Sequence, residues 1–512
     1  MIKNFWRAET GIFLGTWLIL MIAGPTRLFR DPGTFLHLGV GQYILSSGHL
    51  IYNDPFSFTS GGKPWIAYGW LFDCMVAIIN KVGGLDSILL ATSTVLACFY
   101  TWLFHRLITG GIHWLVSLLI LGLAMSASAY HFQPRPHLVT IIFLGFTFAR
   151  LCDFEARRIS LKQLFLLIPV FALWTNIHGG MLGGVGTLAI AVMGWSFAKL
   201  FRRDTPLAQY QQIFPLICLL IACTLMVFVN PYGIALPRLW FYLTGSPVVP
   251  RFIAEHAPLY SDFGDPVNLL VLFFGVFYLC ALAGTLPKRP RITWLIPLVW
   301  FCLAWMRIRN GPLFAVTGVI ALRDMFPHIR WVTWLTQHGS KLLLLRDSQM
   351  LPWRNLPQWR PALIPALLVL TTFVLQIASI PVPIIGHGWV KPDRTPFPFR
   401  LLPTLKQWEQ TKHNGAPIFN EMSFGGFLIS YTPGLRVFID DRCELYGDEG
   451  LLAYAHAIED DPSKIDQWAQ QYGFEIALTI PGSGFDHYLK SSKIWILVER
   501  TSAATFYRKI TR

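Results

Sequence analysis

Long apolar segments recur from residue 12 to residue 380, and they restrict the fold more than any other feature of this sequence. Hydrophobic residues make up 54% of the chain, charged residues make up 14%, and the mean hydropathy is +0.47. Because a soluble domain carries about a quarter charged residues, these values are typical of a polytopic membrane protein. About eleven segments are long enough, or nearly so, to cross about 30 Å of hydrocarbon. They are 12–29, 86–105, 113–130, 137–151, 163–177, 182–199, 213–230, 267–286, 292–306, 311–323 and 361–380.

The charges that flank these segments predict how they are oriented. The first segment lacks a cleavage-like site and precedes further spans, so we expect it to be retained as a signal anchor. Segment 65–82 is short and contains Asp73, and we interpret it as an interfacial helix on the outer surface. Nearly all of the net charge of +14 then lies in loops on the side of the N-terminus, which should be the cytoplasm. These basic loops are at Arg106, 150–162, 199–203, 288–291 and 323–360.

The first loop on the opposite side, residues 30–70, has an unusual composition. It contains Asp31, His37, His49 and Asp54 among Gly, Pro, Ser and aromatic residues. This mixture is too polar for the bilayer core and too aromatic for a free linker, so it predicts a loop packed on the outer membrane surface. A purely structural loop, with turns at the two Asp-Pro pairs, is the alternative.

Further polar motifs fall on the same predicted outer side, where they could form a site open to the periplasm or an equivalent exterior. Arg135, Arg307 and Arg309 run against the charge bias, which indicates an anionic partner such as a lipid phosphate or pyrophosphate. Asn176 and His178 could equally be interface anchors at the end of a span. The predicted substrate-binding residues are Arg135, His137, Asn176, His178, Asn230, Glu255, His256, Arg307, Arg309 and Asn310.

Residues 381–512 have a different character from the rest of the chain. After a proline-rich connection up to Pro398, short strand patterns at 416–421, 436–441, 475–480 and 495–500 alternate with helical patterns at 449–458 and 463–473. These residues are sufficient for one small soluble α/β domain on the outer side. The predicted fold class is therefore mainly α: a helical membrane bundle over residues 1–380, an outer-face interfacial loop, and an α/β domain over residues 381–512.

Several of these motifs together resemble a known group of proteins. They are DPGTFLHLGVGQYIL, NDPFSFTSGGKPWIAYGW, FQPRPHL, WTNIHGG, VNPYG, RNGPLF and GGFLISYTPGLRVFIDDRCELYG. Over nearly the whole chain they are similar to a family of uncharacterised bacterial multi-spanning membrane proteins. That family in turn resembles the GT-C glycosyltransferases, which include the aminoarabinose transferase of lipid A, protein mannosyltransferases and oligosaccharyltransferases.

The GT-C resemblance implies a sugar donor on a polyprenyl phosphate, transfer on the outer face, and an acidic residue of the first outer loop near the acceptor. Asp31 occupies the place of that acid. Many such enzymes carry a second carboxylate one or two residues on, where this chain has Gly33. The departure leaves Asp54 or Glu255 as a partner carboxylate, and it also leaves an inactive protein as an alternative.

The residue types fit the same chemistry without the resemblance. Asp31 can act as a base toward the acceptor, with Asp54 and His37 as further catalytic candidates, and the arginines can stabilise the departing phosphate. The histidine spacing fits no metal motif such as HExxH, so no metal ligand is predicted, although a divalent cation between carboxylate and phosphate remains an alternative.

The sequence thus predicts a glycosyltransferase of the cell (inner) membrane that acts on a cell-envelope glycan, lipid or protein, with no nucleic-acid partner. A transporter or flippase for a lipid-linked or anionic substrate and a non-catalytic membrane assembly protein are the alternatives.

Overall fold

The computed structural model describes residues 7–287, 289–345, 359–392 and 395–510, and most of these residues are helical. Lys288 and residues 346–358, which the charge analysis assigns to inner loops, lie outside the described residues. The helices of the predicted membrane part are α1 Ala8–Arg27, α2 Pro32–Ser47, α3 Trp70–Thr109, α4 Trp114–Ser128, α5 Pro136–Glu155, α6 Leu161–Leu164, α7 Leu167–Thr175, α8 Met181–Leu200, α9 Ile213–Leu225, α10 Ala235–Gly245, α11 Val249–Phe252, α12 Pro266–Ala283, α13 Ile292–Met306, α14 Gly311–Met325, α15 Arg330–Gln337 and α16 Trp359–Ile377.

Seven helical segments of the described chain are long and apolar enough to cross a membrane, so the expected count of about eleven is not confirmed. The seven are Ala8–Arg27, Trp70–Thr109, Trp114–His131, Pro136–Glu155, Met181–Leu200, Tyr210–Phe228 and Pro266–Ala283. Predicted spans 163–177, 292–306 and 361–380 correspond to shorter apolar helices. Predicted span 311–323 corresponds to α14, whose 15 residues rise only about 22 Å. Nearly all of α14 is buried against other helices, so its apolar residues reflect a protein core.

Segment 65–82 and span 86–105 are joined in the long helix α3. The helix begins at Trp70, and a kink with non-helical dihedral angles at Gly83 and Gly84 separates its two parts. Asp73 lies before the kink, on the face that packs against α2. The kink thus separates the part that contains Asp73 from the part that corresponds to the predicted span 86–105.

One end of the bundle is closed by a network of charged side chains. Arg106 donates two hydrogen bonds to Asp153, at 2.9 and 3.0 Å, and Arg323 donates to the same carboxylate at 2.9 Å. Arg158 bridges Asp153 to Asp324, with hydrogen bonds of 2.7 and 2.8 Å. All five residues belong to the loops and helix ends assigned to the cytoplasmic side, so the contacts bring the predicted inner ends together.

The C-terminal part of the chain contains a five-stranded mixed sheet flanked by helices. The strands are β1 Ala416–Asn420, β2 Leu435–Val437, β3 Ile476–Thr479, β4 Trp495–Arg500 and β5 Thr505–Lys509, and their order in the sheet is β2-β1-β3-β5-β4. β1 pairs in parallel with β2 and β3, while β5 is antiparallel to β3 and β4. The helices are α17 Leu402–Thr411, α18 Met422–Tyr431, α19 Cys443–Glu459, α20 Lys464–Tyr472 and α21 Gly484–Ser491.

Helix α18 holds this sheet against the first outer loop, since it packs closely along α2. A side chain at Gly426 would meet the backbone nitrogen of Leu36 at 2.7 Å and the carbonyl oxygen of Pro32 at 2.8 Å, so only glycine permits this approach. The Ser430 hydroxyl donates a hydrogen bond to the carbonyl oxygen of Phe35. Ser57 also forms a parallel bridge with Val437, so the loop adds to the sheet beside β2.

A buried ion cluster links the same two parts of the chain. The Arg442 guanidinium donates to Asp54 at 2.6 Å and to Asp440 at 2.6 and 2.7 Å, and it lies over the rings of Phe56 and Trp65. Arg442 and Asp54 are each 2% exposed, and Asp440 is fully buried. Because each charge is paired inside the protein, the cluster holds together only while the loop and the sheet are docked.

Replacing Arg442 with Met should destabilise the protein by about 3–5 kcal/mol, because Asp54 and Asp440 would be left as buried charges without their cation. We expect a lower thermal unfolding temperature in detergent and faster proteolysis of residues 48–69. Lys412→Met is the control, because Lys412 and Glu475 form a partly exposed pair that contributes little. Equal unfolding temperatures for the two variants would contradict a stabilising role of the cluster.

Candidate active site

Asp31 lies at the N-terminus of α2, at the end of the bundle opposite the Arg106 network. One carboxylate oxygen accepts a hydrogen bond from the backbone N–H of Gly33 at 2.7 Å, which makes Asp31 the cap of the helix. The other oxygen accepts from Arg135 at 2.9 Å. Asp31 is only partly buried, so its carboxylate remains accessible to a second reactant.

Arg135 joins three separate parts of the chain. Its guanidinium contacts Asp31 and also Glu255, whose other carboxylate oxygen lies 3.5 Å from Nε2 of His131. Burial would raise the pKa of Glu255, but Arg135, His131 and Arg309 outweigh it and hold the pKa well below its usual range. A Cβ at Gly33 would come within 2.8 Å of the Arg135 guanidinium, so the bridge leaves no room for a carboxylate at that position. Among the predicted partner carboxylates, Glu255 is the one that shares Arg135 with Asp31.

Three histidines form a row beside this bridge. The rings of His131 and His137 are 4.7 Å apart, and those of His137 and His178 are stacked at 5.6 Å. Nδ1 of His178 accepts from the Gly180 backbone N–H at 3.1 Å and contacts the Thr140 hydroxyl at 2.8 Å, which assigns its proton to Nε2. Burial, together with the charges of Arg309, His37 and Arg135, lowers the pKa of His178 to about 3. The row is therefore neutral at its His178 end.

Arg309 and Arg307 supply positive charge that carboxylates do not neutralise. Arg309 donates to Nε2 of His256, and no described carboxylate lies within ion-pair distance of Arg309. The Arg307 side chain has neither a hydrogen bond nor an ion pair with any described residue. Burial and these two arginines lower the pKa of His256 to about 4. Neutral His256 and the cations Arg307 and Arg309 therefore favour the binding of an anion.

His37 lies on α2 and pairs with Asp73 of α3, with 2.7 Å between Nδ1 and the carboxylate. Both residues line a small cavity of about 50 Å³ together with Gly33, Arg135 and Asp441. Asp441 comes from the segment that follows β2, so the C-terminal part of the chain forms one wall of the cavity. Burial raises the pKa of Asp441 well above its usual range, and the neighbouring Asp31 raises it further.

Four predicted site residues have other roles in the structure. Asp54 is buried in the Arg442 cluster and also accepts hydrogen bonds from residues 56 and 57, so it has no oxygen left for catalysis. Asn176 joins Trp70 to the carbonyl oxygens of Ala172 and Val229. Asn230 closes its own turn, and Asn310 donates to a backbone carbonyl oxygen at the end of α13. We assign all four to structural positions because their polar atoms are already bonded within the protein.

Asp73, His131 and Asp441 lie at the candidate site but are not among the residues predicted from the sequence. Asp73 could have been recognised from the sequence, because an acidic residue in an apolar helix needs a hydrogen-bonding or charged partner. His131 belongs to the same HFQPRPH motif as Arg135. Asp441 is the middle residue of Asp440-Asp441-Arg442 at the end of a strand pattern, and no local feature of that triplet indicates the first loop as its neighbour.

The site does not fit a divalent cation. Among the described residues, no group of three or more His, Cys, Asp or Glu side chains is arranged to hold a metal ion. The Arg135 guanidinium stands between Asp31 and Glu255, so these two carboxylates do not together form a divalent-cation site. The two carboxylates are thus already paired with a cation that belongs to the chain.

Comparison with solved structures shows what this fold is similar to. The oligosaccharyltransferase of Archaeoglobus fulgidus, tethered with an acceptor peptide containing the NVT sequon, matches with a TM-score of 0.53 and 11% identity over 92% of this chain and 68% of that one. Its apo form matches with a TM-score of 0.52 and 11% identity over 93% and 70%. ArnT of Cupriavidus metallidurans bound to undecaprenyl phosphate is less similar, with a TM-score of 0.45 and 12% identity over 98% and 97%.

No family model and no curated protein matches the sequence. The structural matches confirm the expected resemblance at the level of the fold, which is similar to that of a GT-C oligosaccharyltransferase. At this level of identity they establish the fold, while the chemistry depends on the site itself.

The Arg309–His256 contact can be tested through the pKa of His256. Arg309→Gln should raise this pKa from about 4 toward its ordinary value of 6.5, because a buried neighbouring cation would be gone. NMR titration of histidine-labelled protein, with His256→Asn to assign the resonance, measures the change. Arg30→Gln, at an exposed arginine, should leave the resonance unaffected, and an unchanged pKa in Arg309→Gln would contradict the contact.

Proposed function

We propose that this protein is a membrane glycosyltransferase that transfers a sugar from a polyprenyl-phosphate donor to an acceptor on the outer face of the membrane. The observation that carries the proposal is that an accessible carboxylate, Asp31, lies at the same end of a GT-C-like fold as two arginines with no described carboxylate within ion-pair distance. A transferase of this class needs a proton acceptor for the incoming group and a cationic site for the departing phosphate.

The acceptor side of the site centres on Asp31. As the acceptor hydroxyl attacks the anomeric carbon, its proton passes to the Asp31 carboxylate, and the bond between the anomeric carbon and the phosphate oxygen breaks. Arg135 and Glu255 hold the Asp31 carboxylate in place, while the cap at Gly33 fixes its angle to α2. His37, oriented by Asp73 beside the same cavity, can relay a proton.

The phosphate side of the site centres on Arg309 and Arg307. Their charges can meet the phosphate as it departs with the polyprenyl chain. His256 and His178, both neutral, offer hydrogen bonds near that charge, and His137 is stacked between His178 and His131. Arg135 contributes less to the stabilisation of the departing phosphate, because its guanidinium is already paired with two carboxylates.

We extend the proposal to the topology and the partners. Residues 1–380 form the membrane domain of a multi-pass protein of the cell (inner) membrane, and residues 381–512 form an extracytoplasmic domain. The Arg106 network supports this topology, since it gathers basic residues at the end opposite Asp31. The acceptor is a cell-envelope glycan, lipid or protein. The oligosaccharyltransferase of similar fold was crystallised with an acceptor peptide, which supports a protein or peptide among the candidate acceptors.

The direct test measures donor cleavage. Membrane vesicles that contain the protein and native acceptors are supplied with a panel of polyprenyl-phosphate-linked monosaccharides, and the released polyprenyl phosphate is quantified by chromatography. Mass spectrometry of lipids that copurify with the protein selects the first members of the panel. If no member of the panel is cleaved and no such lipid copurifies, the proposal fails.

Asp31→Asn should reduce donor cleavage at least a hundredfold, which is the usual scale for the loss of a general base. Asn caps a helix about as well as Asp, so the fold and the membrane insertion should remain near normal. The thermal unfolding temperature and the yield in membranes provide the check on folding. Full activity in Asp31→Asn would reduce Asp31 to a helix cap.

Arg309→Ala and Arg307→Ala should each weaken the binding of undecaprenyl phosphate by more than tenfold, because a lost charge-assisted contact in a desolvated site costs about 2–5 kcal/mol. Binding in detergent can be followed by tryptophan fluorescence. Arg30→Ala is the matched control, an exposed arginine on the same predicted side that donates only to a carbonyl oxygen. Unchanged affinity in both variants would exclude these arginines from the phosphate site.

A further inference from the structure

Asp441 is held at the candidate site by the two residues that flank it. Asp440 is fully buried and accepts hydrogen bonds from Arg442 and from the Tyr446 hydroxyl, while Arg442 reaches Asp54 of the first loop. With both neighbours fixed, the Asp441 side chain lines the small cavity next to Arg135. The C-terminal part of the chain therefore presents a carboxyl group to the region of Asp31.

The carboxyl group of Asp441 differs from the other acids around it. Asp54 and Asp440 are bound by Arg442, Asp73 is bound by His37, and Asp31 is bound by Arg135. In the part of the chain that the structure describes, the Asp441 side chain has neither a hydrogen bond nor an ion pair. Its hydrogen-bonding capacity is thus available to a molecule that enters the cavity.

The surrounding charges favour a neutral Asp441. Arg135 is already shared by Asp31 and Glu255, and Arg442 is already shared by Asp54 and Asp440. Neighbouring acids that compete for two cations disfavour each other's ionisation, and this favours the protonated form most at the acid that has no ion pair of its own, although the charge of Arg135 acts in the opposite direction. The charged or titratable surroundings of Asp441 are Asp31, His37, Tyr68, Asp73, Arg135, Glu255, Asp440, Arg442 and Glu444. Burial raises the pKa of Asp441, and the charge of Asp31 raises it further.

We propose that Asp441 is an acceptor-binding, specificity-determining residue, and that its neutral carboxyl group donates a hydrogen bond to an oxygen atom of the acceptor while Asp31 takes the reacting proton. The inference rests on the proposed function, since it names the C-terminal contribution to the same reaction. Asp441 forms and breaks no covalent bond in this step. The acceptor must then offer a hydroxyl or carbonyl oxygen at this point, because a cationic amine has no lone pair to accept the bond.

The chemistry of Asp441 can be separated from that of Asp31 by comparing amide variants. Asn keeps an N–H donor but cannot ionise, so Asp441→Asn should retain donor cleavage within about threefold of wild type at neutral pH. Asp441→Ala lacks the hydrogen-bond donor, so the rate of sugar-donor cleavage should fall at least tenfold, mainly through a higher KM for the acceptor. In wild type, donor cleavage should decline at alkaline pH as Asp441 ionises. Because Asn cannot ionise, Asp441→Asn should not show this decline.

Infrared difference spectroscopy of the whole protein gives a readout that needs no activity. The spectrum of wild type minus Asp441→Asn at neutral pH should contain a protonated-carboxyl band. The matched control is Glu459→Gln, at an exposed acid of α19, whose difference spectrum should lack that band. Thermal unfolding of each variant checks that the fold is retained.

The outcomes distinguish this inference from the function on which it rests. If wild type cleaves donor and Asp441→Ala equals it, or if Asp441→Asn is as inactive as Asp31→Asn, the role of Asp441 is overturned. The absence of the infrared band likewise overturns it. If wild type and all variants fail to cleave any donor, the proposed function itself fails.

Discussion

The pairing of Arg442 with Asp54 and Asp440 is the interaction on which the candidate site depends. Burying three charges is expensive, and it is tolerated here because each carboxylate has its guanidinium partner at 2.6 or 2.7 Å. Since one carboxylate belongs to the first loop and the other to the sheet, the cluster fixes the loop relative to the C-terminal part. The position of Asp441 relative to Asp31 follows from this fixed relation.

A second set of carboxylates is also paired with one guanidinium, but this set is only partly buried. Asp31, Arg135 and Glu255 come from three loops at the same end of the bundle, and one guanidinium joins them. Arg135 therefore positions the carboxylates, while Arg307 and Arg309 keep their charge available for an anion. Arg135 is paired with two carboxylates, whereas Arg307 and Arg309 have no described carboxylate within ion-pair distance, and this difference gives the candidate site two chemically different sides.

The sequence predicted the parts of this arrangement that depend on local pattern. Apolar runs predicted the helices, and short strand patterns predicted the strands at 416–420, 476–479 and 495–500. The arginines that run against the charge bias remain predicted binding residues. The number of spans could not be settled, because α14 is as apolar as a span for a different reason, its burial within the bundle. The ion pair of Asp54 with Arg442 could not be predicted, because a carboxylate in a buried ion pair and a catalytic carboxylate can have the same local sequence. The position of Asp441 near the first loop depends on the docking of segments that are far apart in the chain. Residue spacing in the sequence does not predict such docking.

The bridge between Ser57 and Val437 has a consequence for the independence of the C-terminal part. β2 is the last strand of its sheet, and the first loop covers its outer side. Separated from the membrane part, β2 would present unpaired backbone N–H and C=O groups, a template on which a strand from another molecule could add. The pairing of the first loop with β2 thus covers the edge on which such self-association would begin.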